Sequence, residues 1–398
     1  MAHIIRRVCL MLVWLSLAAA TTAQSAASDD SLEVALLTCS PGQEVYEYYG
    51  HTALLVRSAR SGQTYVFNYG VFSYSQPGFV WRFVRGKTDY MVACAPLEYF
   101  KREYEARGSS VRADYLNLSQ AEAQRLFRAL VENCQPENRT YRYNFFYDNC
   151  ATRVRDMIAR ALDGQIEYNN EVKRQSLRDI VHRQSAPYKW SYFGQDLLLG
   201  AEADRPAPRP AQQFAPDILQ EDLLQASVSD SAGGRRPLVV RSEMLVPLRE
   251  VPLEQGFPLS PLACALGLLA LTVCITLWDR KRHRLAWGYD ALLLTAQGLA
   301  GCIVAFLFFC SDHPAVDSNW LVLLLNPLPL VFLGWTLRAE RQRRTALYHW
   351  VAAVWTAAFM VAAALIPQEI SGTVMVLALC LLLRSVANVW LPRAWRSD

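Results

Sequence analysis

Two stretches carry residue types able to do covalent chemistry. In Tyr147-Asp148-Asn149-Cys150-Ala151-Thr152-Arg153, an aromatic, strand-like run (Tyr141 to Tyr147) gives way to a helical run from Ala151 to Leu162. Asn149 is a good helix N-cap, which puts Cys150 in the first turn. A thiol there meets unpaired backbone N–H groups and the positive end of the helix macrodipole. Both favour the thiolate, which is the nucleophile. A reactive cysteine also needs a base, and Tyr49-Gly50-His51-Thr52-Ala53-Leu54, roughly a hundred residues upstream, opens a strand-like run with one.

The chain has six histidines, so the choice of base is short. His3 lies in the apolar N-terminus, and His283 and His349 fall near basic loops. Of the others, His182 sits in a polar helical surface pattern and His313 between apolar runs. His51 is favoured because a strand start beside a sheet can aim its ring at a helix N-terminus. A third group must orient the imidazole. Asn68 is the candidate: Val66, Asn68 and Gly70 share one strand face, and an amide among apolar neighbours wants a partner.

Each of these residues also has a plain structural role open to it. A buried cysteine at a helix start is often inert, a lone histidine is often a satisfied core residue, and Asn149 and Asn68 serve equally as caps or turn residues. Other chemistries lack their motifs: there is no G-x-S-x-G elbow, H-E-x-x-H, paired C-x-x-C or Walker loop. Neither a metal nor an organic cofactor is expected.

The elements that must position these groups are legible in outline. Leu32 to Thr38, His51 to Arg57, Thr64 to Tyr69, Tyr90 to Ala93 and Val111 to Leu116 read as strands. Pro96 to Arg107 has helical apolar spacing, and Ser119-Gln120-Ala121-Glu122 is a capping box. Strands first and helices later, without βαβ alternation, predict an α+β domain on a mostly antiparallel sheet.

The 398 residues, 52% hydrophobic, are enough for more than one domain. Residues 1–23 read as a signal peptide, with Arg6 and Arg7 before an apolar run and small residues at Ala18 to Ala23. The exported domain then spans 24–200. Residues 201–258, rich in Pro, Ala and Arg, read as a linker in which Leu238 to Val246 is apolar enough for one more strand. Residues 259–398 form an all-α membrane domain of five spans, near 259–278, 291–310, 320–337, 348–366 and 372–391.

Asp279 to Arg284 holds four Lys or Arg residues and Arg338 to Arg344 four arginines, whereas loops 311–319 and 368–372 hold none. The basic loops, and with them the C-terminus, are therefore expected in the cytoplasm of a bacterial inner-membrane protein whose catalytic domain is periplasmic. A net charge of +4, scattered, offers no nucleic-acid face. Of ten cysteines only Cys39, Cys94, Cys134 and Cys150 belong to the exported part, so a free Cys150 leaves one possible pair and one odd thiol.

The order His strand, Asn strand, Cys helix resembles the circularly permuted branch of the NlpC/papain-like fold, which includes the lecithin:retinol acyltransferase relatives. The motifs Thr38-Cys39-Ser40-Pro41-Gly42, Tyr49 to Leu54, Phe67-Asn68-Tyr69-Gly70 and Tyr147 to Arg153 together resemble the Lnb N-terminal periplasmic domain. Further on, Asp312-His313-Pro314, Asn319-Trp320 and Asn326-Pro327 extend the likeness into the Lnb-like transmembrane domain. The resemblance implies lipoprotein N-acyltransfer from a phospholipid donor to a diacylated lipoprotein, with Cys150 and His51 catalytic. The exported loop with Asp312, His313 and Asn319 lies on the correct side to contact a head group or the acceptor. Read plainly, His313-Pro314 ends one span and Asn319 begins the next. Arg384, inside the last span, is a phosphate ligand or snorkels. The same Cys–His pair would also serve a membrane-anchored peptidase or amidase of the cell wall; a third reading is a transporter or sensor with a structural Cys150.

Overall fold

The computed structural model describes residues 31–73, 75, 77–230, 233–249, 251–252 and 256–397. The expected signal peptide, 1–23, lies outside them. The first strands are Leu32–Cys39 (β1), His51–Ser58 (β2) and Thr64–Val71 (β3). A short helix, Phe79–Val84 (α1), precedes Asp89–Pro96 (β4), Leu97–Arg107 (α2), Val111–Leu116 (β5) and Gln120–Asn133 (α3). Then come Thr140–Arg142 (β6), Cys150–Ala161 (α4), Gly164–Glu167 (β7), Leu177–Ser185 (α5) and Lys189–Leu198 (α6). Pro216–Gln225 (α7), Ser227–Asp230 (β8), Arg235–Pro237 (β9) and Val239–Val246 (β10) complete the exported part.

Seven of these strands form one antiparallel sheet in the order β10-β5-β1-β2-β3-β4-β6, and β7-β8-β9 form a small second sheet. Side-chain alternation divides the large sheet between two cores. Leu36, Leu54 and Phe67 pack against Leu126 and Leu130 of α3 and Val154 and Ile158 of α4. On the other face, Leu37, Leu55 and Val66 pack against Leu97, Phe100 and Tyr104 of α2. The domain is therefore α+β, and its sheet is buried on both faces.

Residues 201–246 are not a linker. They supply a turn at Ala201–Asp204, helix α7, strands β8 and β9, and β10, which pairs with β5 from Val239↔Leu116 to Val246↔Val111. Phe214, Leu219, Leu223 and Leu238 are buried. Composition misleads here because Pro216 sits in the first turn of α7, where proline costs a helix nothing, and Arg209 and Arg236 pair with Asp222 and Glu122.

Arg178 of α5 is 0% exposed. It donates to Asp204 (2.7 Å), Asp196 (2.6 Å) and the Leu199 carbonyl (2.9 Å), and so ties α5 to α6 and to the turn that follows it. Removing one partner of such a fork strands buried charge. Arg178→Ala is expected to destabilise the exported domain by about 3–5 kcal/mol, read as a lowered thermal midpoint of the purified protein.

Four helical segments are long and apolar enough to cross a membrane: Pro261–Arg282 (α8), Trp287–Cys310 (α9), Trp320–Arg341 and Gly372–Trp395. The stretch expected as a span at 348–366 is a shorter helix, Leu347–Ala362, of 16 residues. Turns and bends continue from Ala363 to Pro367, the Ile366 N–H still reaching the Ala362 carbonyl (3.1 Å). The expected span 320–337 is also interrupted. A 3-10 turn, Trp320–Leu323, precedes the α-helix Leu328–Arg341 (α10), with the break at Asn326-Pro327.

Side chains satisfy the carbonyls freed at that break, as an apolar surrounding requires. Gln297 donates to Leu324 O (2.9 Å), while Trp355 (2.6 Å) and Asn326 (3.1 Å) donate to Leu323 O. The broken backbone leans on Gly301, where a Cβ would come within 2.3 Å of Asn326. Leu347–Ala362 is labelled α11 and Gly372–Ser397 α12. In α12, Arg384 neither snorkels nor waits for a phosphate. It is buried and donates to Asp290 (2.6 and 2.7 Å), Asp279 (2.8 Å) and Thr276 (3.0 Å), bolting α12 to α8 and α9.

Candidate active site

Asn149 caps α4, and every polar atom of its side chain has work there. Its Oδ1 accepts from the N–H groups of Ala151 (2.9 Å) and Thr152 (3.0 Å), and its Nδ2 donates to the carbonyls of Phe145 (3.0 Å) and Phe214 (2.8 Å). The Thr152 hydroxyl accepts from the Asn149 N–H (2.8 Å), which closes a capping box. Cys150 is thereby the first residue of the helix. The run before it is less of a strand than its aromatics suggest. Only Thr140–Arg142 pairs with β4, because Asn144 Oδ1 accepts from the amides of Phe146 and Tyr147 and folds the chain into a turn.

The sheet opens to receive this helix end. Strands β2 and β3 pair from Arg57↔Thr64 to Leu54↔Phe67; beyond that point β3 pairs only with β4 and bulges between Tyr69 and Val71. Gly70 lies at the bulge with φ +89, an angle that favours glycine, and a Cβ there would sit 3.6 Å from Cys150 Cβ and 3.8 Å from His51 Cε1. The thiol and the imidazole approach from opposite faces of the sheet and meet over a residue with no side chain.

His51 opens β2, opposite Cys39 of β1. Its Nε2–H donates to Asn68 Oδ1 at 2.6 Å. An amide oxygen only accepts, so this bond fixes the tautomer and leaves Nδ1 as the nitrogen able to take a proton. Burial pushes the His51 value down, but the Cys150 charge and hydrogen bonds to Cys150 and Asn68 outweigh it and hold the imidazole above its ordinary value.

Burial likewise pushes the Cys150 thiol up. The His51 charge and hydrogen bonds from His51 and from the Thr52 and Ala151 N–H groups overcome it, leaving the thiol below its ordinary value. The other exported cysteines go the opposite way: burial raises Cys39 and Cys94, and Cys134 to about 11. Among the four, Cys150 alone is shifted toward thiolate.

A cavity of about 400 Å³ opens over Cys150, His51 and Asn68. Phe72, Tyr90, Tyr143 and Phe145 make much of its wall apolar, and Glu47, Glu103 and Arg107 form a charged side. Arg107 is paired to both glutamates, so that wall carries no free cation. A polarised thiol, an oriented imidazole and an apolar chamber suit nucleophilic attack on a carbonyl of an apolar substrate. Asn68→Ala removes the acceptor that aims His51. Misaiming a catalytic group is expected to lower kcat by about 10²-fold, with little change in KM, in any assay that turns over Cys150.

Asp312, His313 and Asn319 do not line this cavity. Asp312 pairs with Lys87 at 3.3 Å, and His313 Nε2–H donates to the Phe83 carbonyl. Asn319 caps the Trp320 turn through the Leu321 N–H (3.0 Å) and donates to the carbonyls of Leu197 (2.9 Å) and Leu198. All three make their contacts at the joint between the exported domain and the membrane helices, outside the Cys150 cavity. His182 lies elsewhere, against Asp196 (3.2 Å) and stacked on Tyr192.

The chamber's remote members escape a reading of sequence. Phe72 follows β3, Tyr104 and Arg107 share α2, and Phe214 precedes α7, so they come from three distant parts of the chain and carry no local motif. Among the described residues, no group of three or more His, Cys, Asp or Glu is placed to hold a metal ion.

Residues 19–184 match the family model for the Lnb N-terminal periplasmic domain, and residues 253–394 match that for the Lnb transmembrane domain. No curated protein and no solved structure matches the chain.

Proposed function

Because this chain belongs to the Lnb-type family, whose periplasmic and transmembrane domain models it matches in turn, we propose that it is a lipoprotein N-acyltransferase working through Cys150, His51 and Asn68. The family implies a lipoprotein-modifying membrane enzyme. The specific chemistry rests on one observation: the thiol shifted toward thiolate beside an imidazole whose far nitrogen is held by Asn68 at 2.6 Å. The order of His strand, Asn strand and Cys helix supports a circularly permuted NlpC/papain-like reading of the domain.

His51 takes the thiol proton, and the Cys150 sulfur attacks the carbonyl of a phospholipid acyl ester. A C–S bond forms and the ester C–O bond breaks. The lysophospholipid leaves with the proton held by His51. The free α-amine of a diacylglyceryl-cysteine lipoprotein then attacks the thioester. The C–N bond forms, the C–S bond breaks, and His51 accepts the amine proton, which restores the pair. During both attacks the Cys150 N–H is an oxyanion donor at the start of α4. The neighbouring first-turn amides of Ala151 and Thr152 are already bound to Asn149.

Both substrates reside in a bilayer, and extracting an acyl chain into water costs about 0.8 kcal/mol per CH₂. A catalytic domain clamped onto membrane helices avoids that step. The basic loops support a cytoplasmic C-terminus, which requires the shorter helix Leu347–Ala362 to act as a fifth crossing.

Incubation of the purified protein with acyl-labelled phospholipid tests the reading. The expected result is a label on Cys150, chased by a diacylated lipopeptide. Release of cell-wall peptides without acylation would turn the assignment to a cysteine amidase. Neither result would leave Cys150 a structural residue.

A further inference from the structure

Helix α1, Phe-Val-Trp-Arg-Phe-Val, has no part in the chemistry above and is oddly built for a water-facing element. Phe79 is buried, but Val80, Trp81 and Phe83 are 67%, 57% and 43% exposed. Three large apolar side chains displayed together on one turn and a half mark a contact surface rather than a solvated one.

Its attachments say where that surface lies. Ser311 Oγ–H donates to Val84 O (2.8 Å), the Asp312 N–H donates to Arg85 O (2.9 Å), and His313 bonds the Phe83 carbonyl. The two backbones touch at Gly86, φ +68, where a Cβ would come within 2.6 Å of His313 N. The Trp81 ring is 5.2 Å from Phe306 in the last turns of α9. Helix α1 is thus fixed at the end of a membrane-length helix. Its bare side chains continue the apolar surface that α9 exposes at Ile303 and Phe309. Arg82 and Arg85 put positive charge at the same level, as suits anionic head groups.

Inward from α1 runs a row of stacked rings. Phe83 and Phe79 lie 6.2 Å apart, Phe79 and Phe72 5.6 Å, and Phe72 and Tyr90 4.8 Å. Phe72 and Tyr90 are walls of the Cys150 cavity. A row of packed apolar rings therefore runs from α1 to the cavity wall.

We infer that α1 lies in the outer leaflet of the bilayer, and that the row Phe83–Phe79–Phe72 is the route by which one acyl chain of a membrane phospholipid reaches Cys150. The bilayer contact stands on the geometry alone; the route rests on the acyl-transfer reading.

Two measurements on the full-length protein in phosphatidylethanolamine–phosphatidylglycerol vesicles test this. A benzophenone amino acid in place of Val80 is expected to form a phospholipid adduct on irradiation. The yield should be at least tenfold that from the same probe at Tyr99. That ring is also 67% exposed but belongs to α2, beyond the far end of β4, a strand of eight residues about 25 Å long. Equal yields, or none at Val80, overturn the bilayer contact.

In the second measurement, Cys150 acylation from vesicle phospholipid is compared with acylation from a water-soluble butyryl thioester. Val80→Glu and Trp81→Glu are each expected to lower that ratio at least tenfold. An unchanged ratio in both variants overturns the route. Should no donor acylate Cys150 even in the parent protein, the route falls with the acyl-transfer reading, while the adduct at Val80 still decides whether α1 sits in lipid.

Discussion

Cells whose only copy carries Cys150→Ala, with no second N-acyltransferase present, are expected to keep diacylated lipoprotein N-termini, and the labelled acyl-enzyme is expected to vanish. The loss should be at least about 10³-fold, because a covalent route has no fallback once its nucleophile is gone. The substitution is mild for the fold. Alanine is a better helix former than cysteine, and the Asn149 cap and its four side-chain bonds remain. A folded, correctly inserted but silent protein is therefore the predicted phenotype. Mass spectrometry of lipoprotein N-termini reads the outcome directly, and unchanged triacylated termini would count against the assignment.

His51→Ala should act on two observables at once. Acyl transfer is expected to fall by about 10²–10⁴-fold, the usual loss on removing a general base. The second observable is the pH profile of Cys150 alkylation. In the parent protein the thiol is held below its ordinary value and the imidazole above its own. The sulfur therefore stays charged to lower pH than an ordinary thiol and loses reactivity as pH falls through its lowered value. Without His51 the largest opposing influence disappears and burial prevails, so the reactive window moves upward past the ordinary thiol range. Each unit of that movement is tenfold in thiolate at neutral pH. Alkylation at pH 7 should slow by at least about tenfold, with a profile still rising at alkaline pH. A profile indifferent to His51 would show that the ring does not govern the thiol.

The membrane half shows where a one-dimensional reading runs out. Runs of apolar residues mark membrane segments well, because hydropathy is a sum over neighbours in the chain. The break at Asn326-Pro327 is a local proline effect that an apolar window, still reading as a span, does not show. Arg384 is different in kind. Its partners Asp279 and Asp290 lie roughly a hundred residues away on other helices, and nothing near position 384 announces them. The 201–258 stretch failed for a third reason. Its prolines and arginines resemble a linker until their places at a helix start and in ion pairs are seen.

From the sequence alone came what short-range physics controls: the cap at Asn149 that makes Cys150 the first residue of a helix, the strand that His51 opens, the face Asn68 occupies, and the division into an exported α+β part and an apolar helical part. Tertiary structure decided what depends on distance through space. It splayed β2 from β3 over Gly70 so that thiol and imidazole meet, and it turned the Thr52 amide toward the sulfur. It also spent Asp312, His313 and Asn319 on the joint and stacked Phe83, Phe79 and Phe72 between the membrane level and the cavity. Capping and alternation are set by residues a few positions apart, whereas a site assembled from both faces of a sheet exists only once the chain has closed.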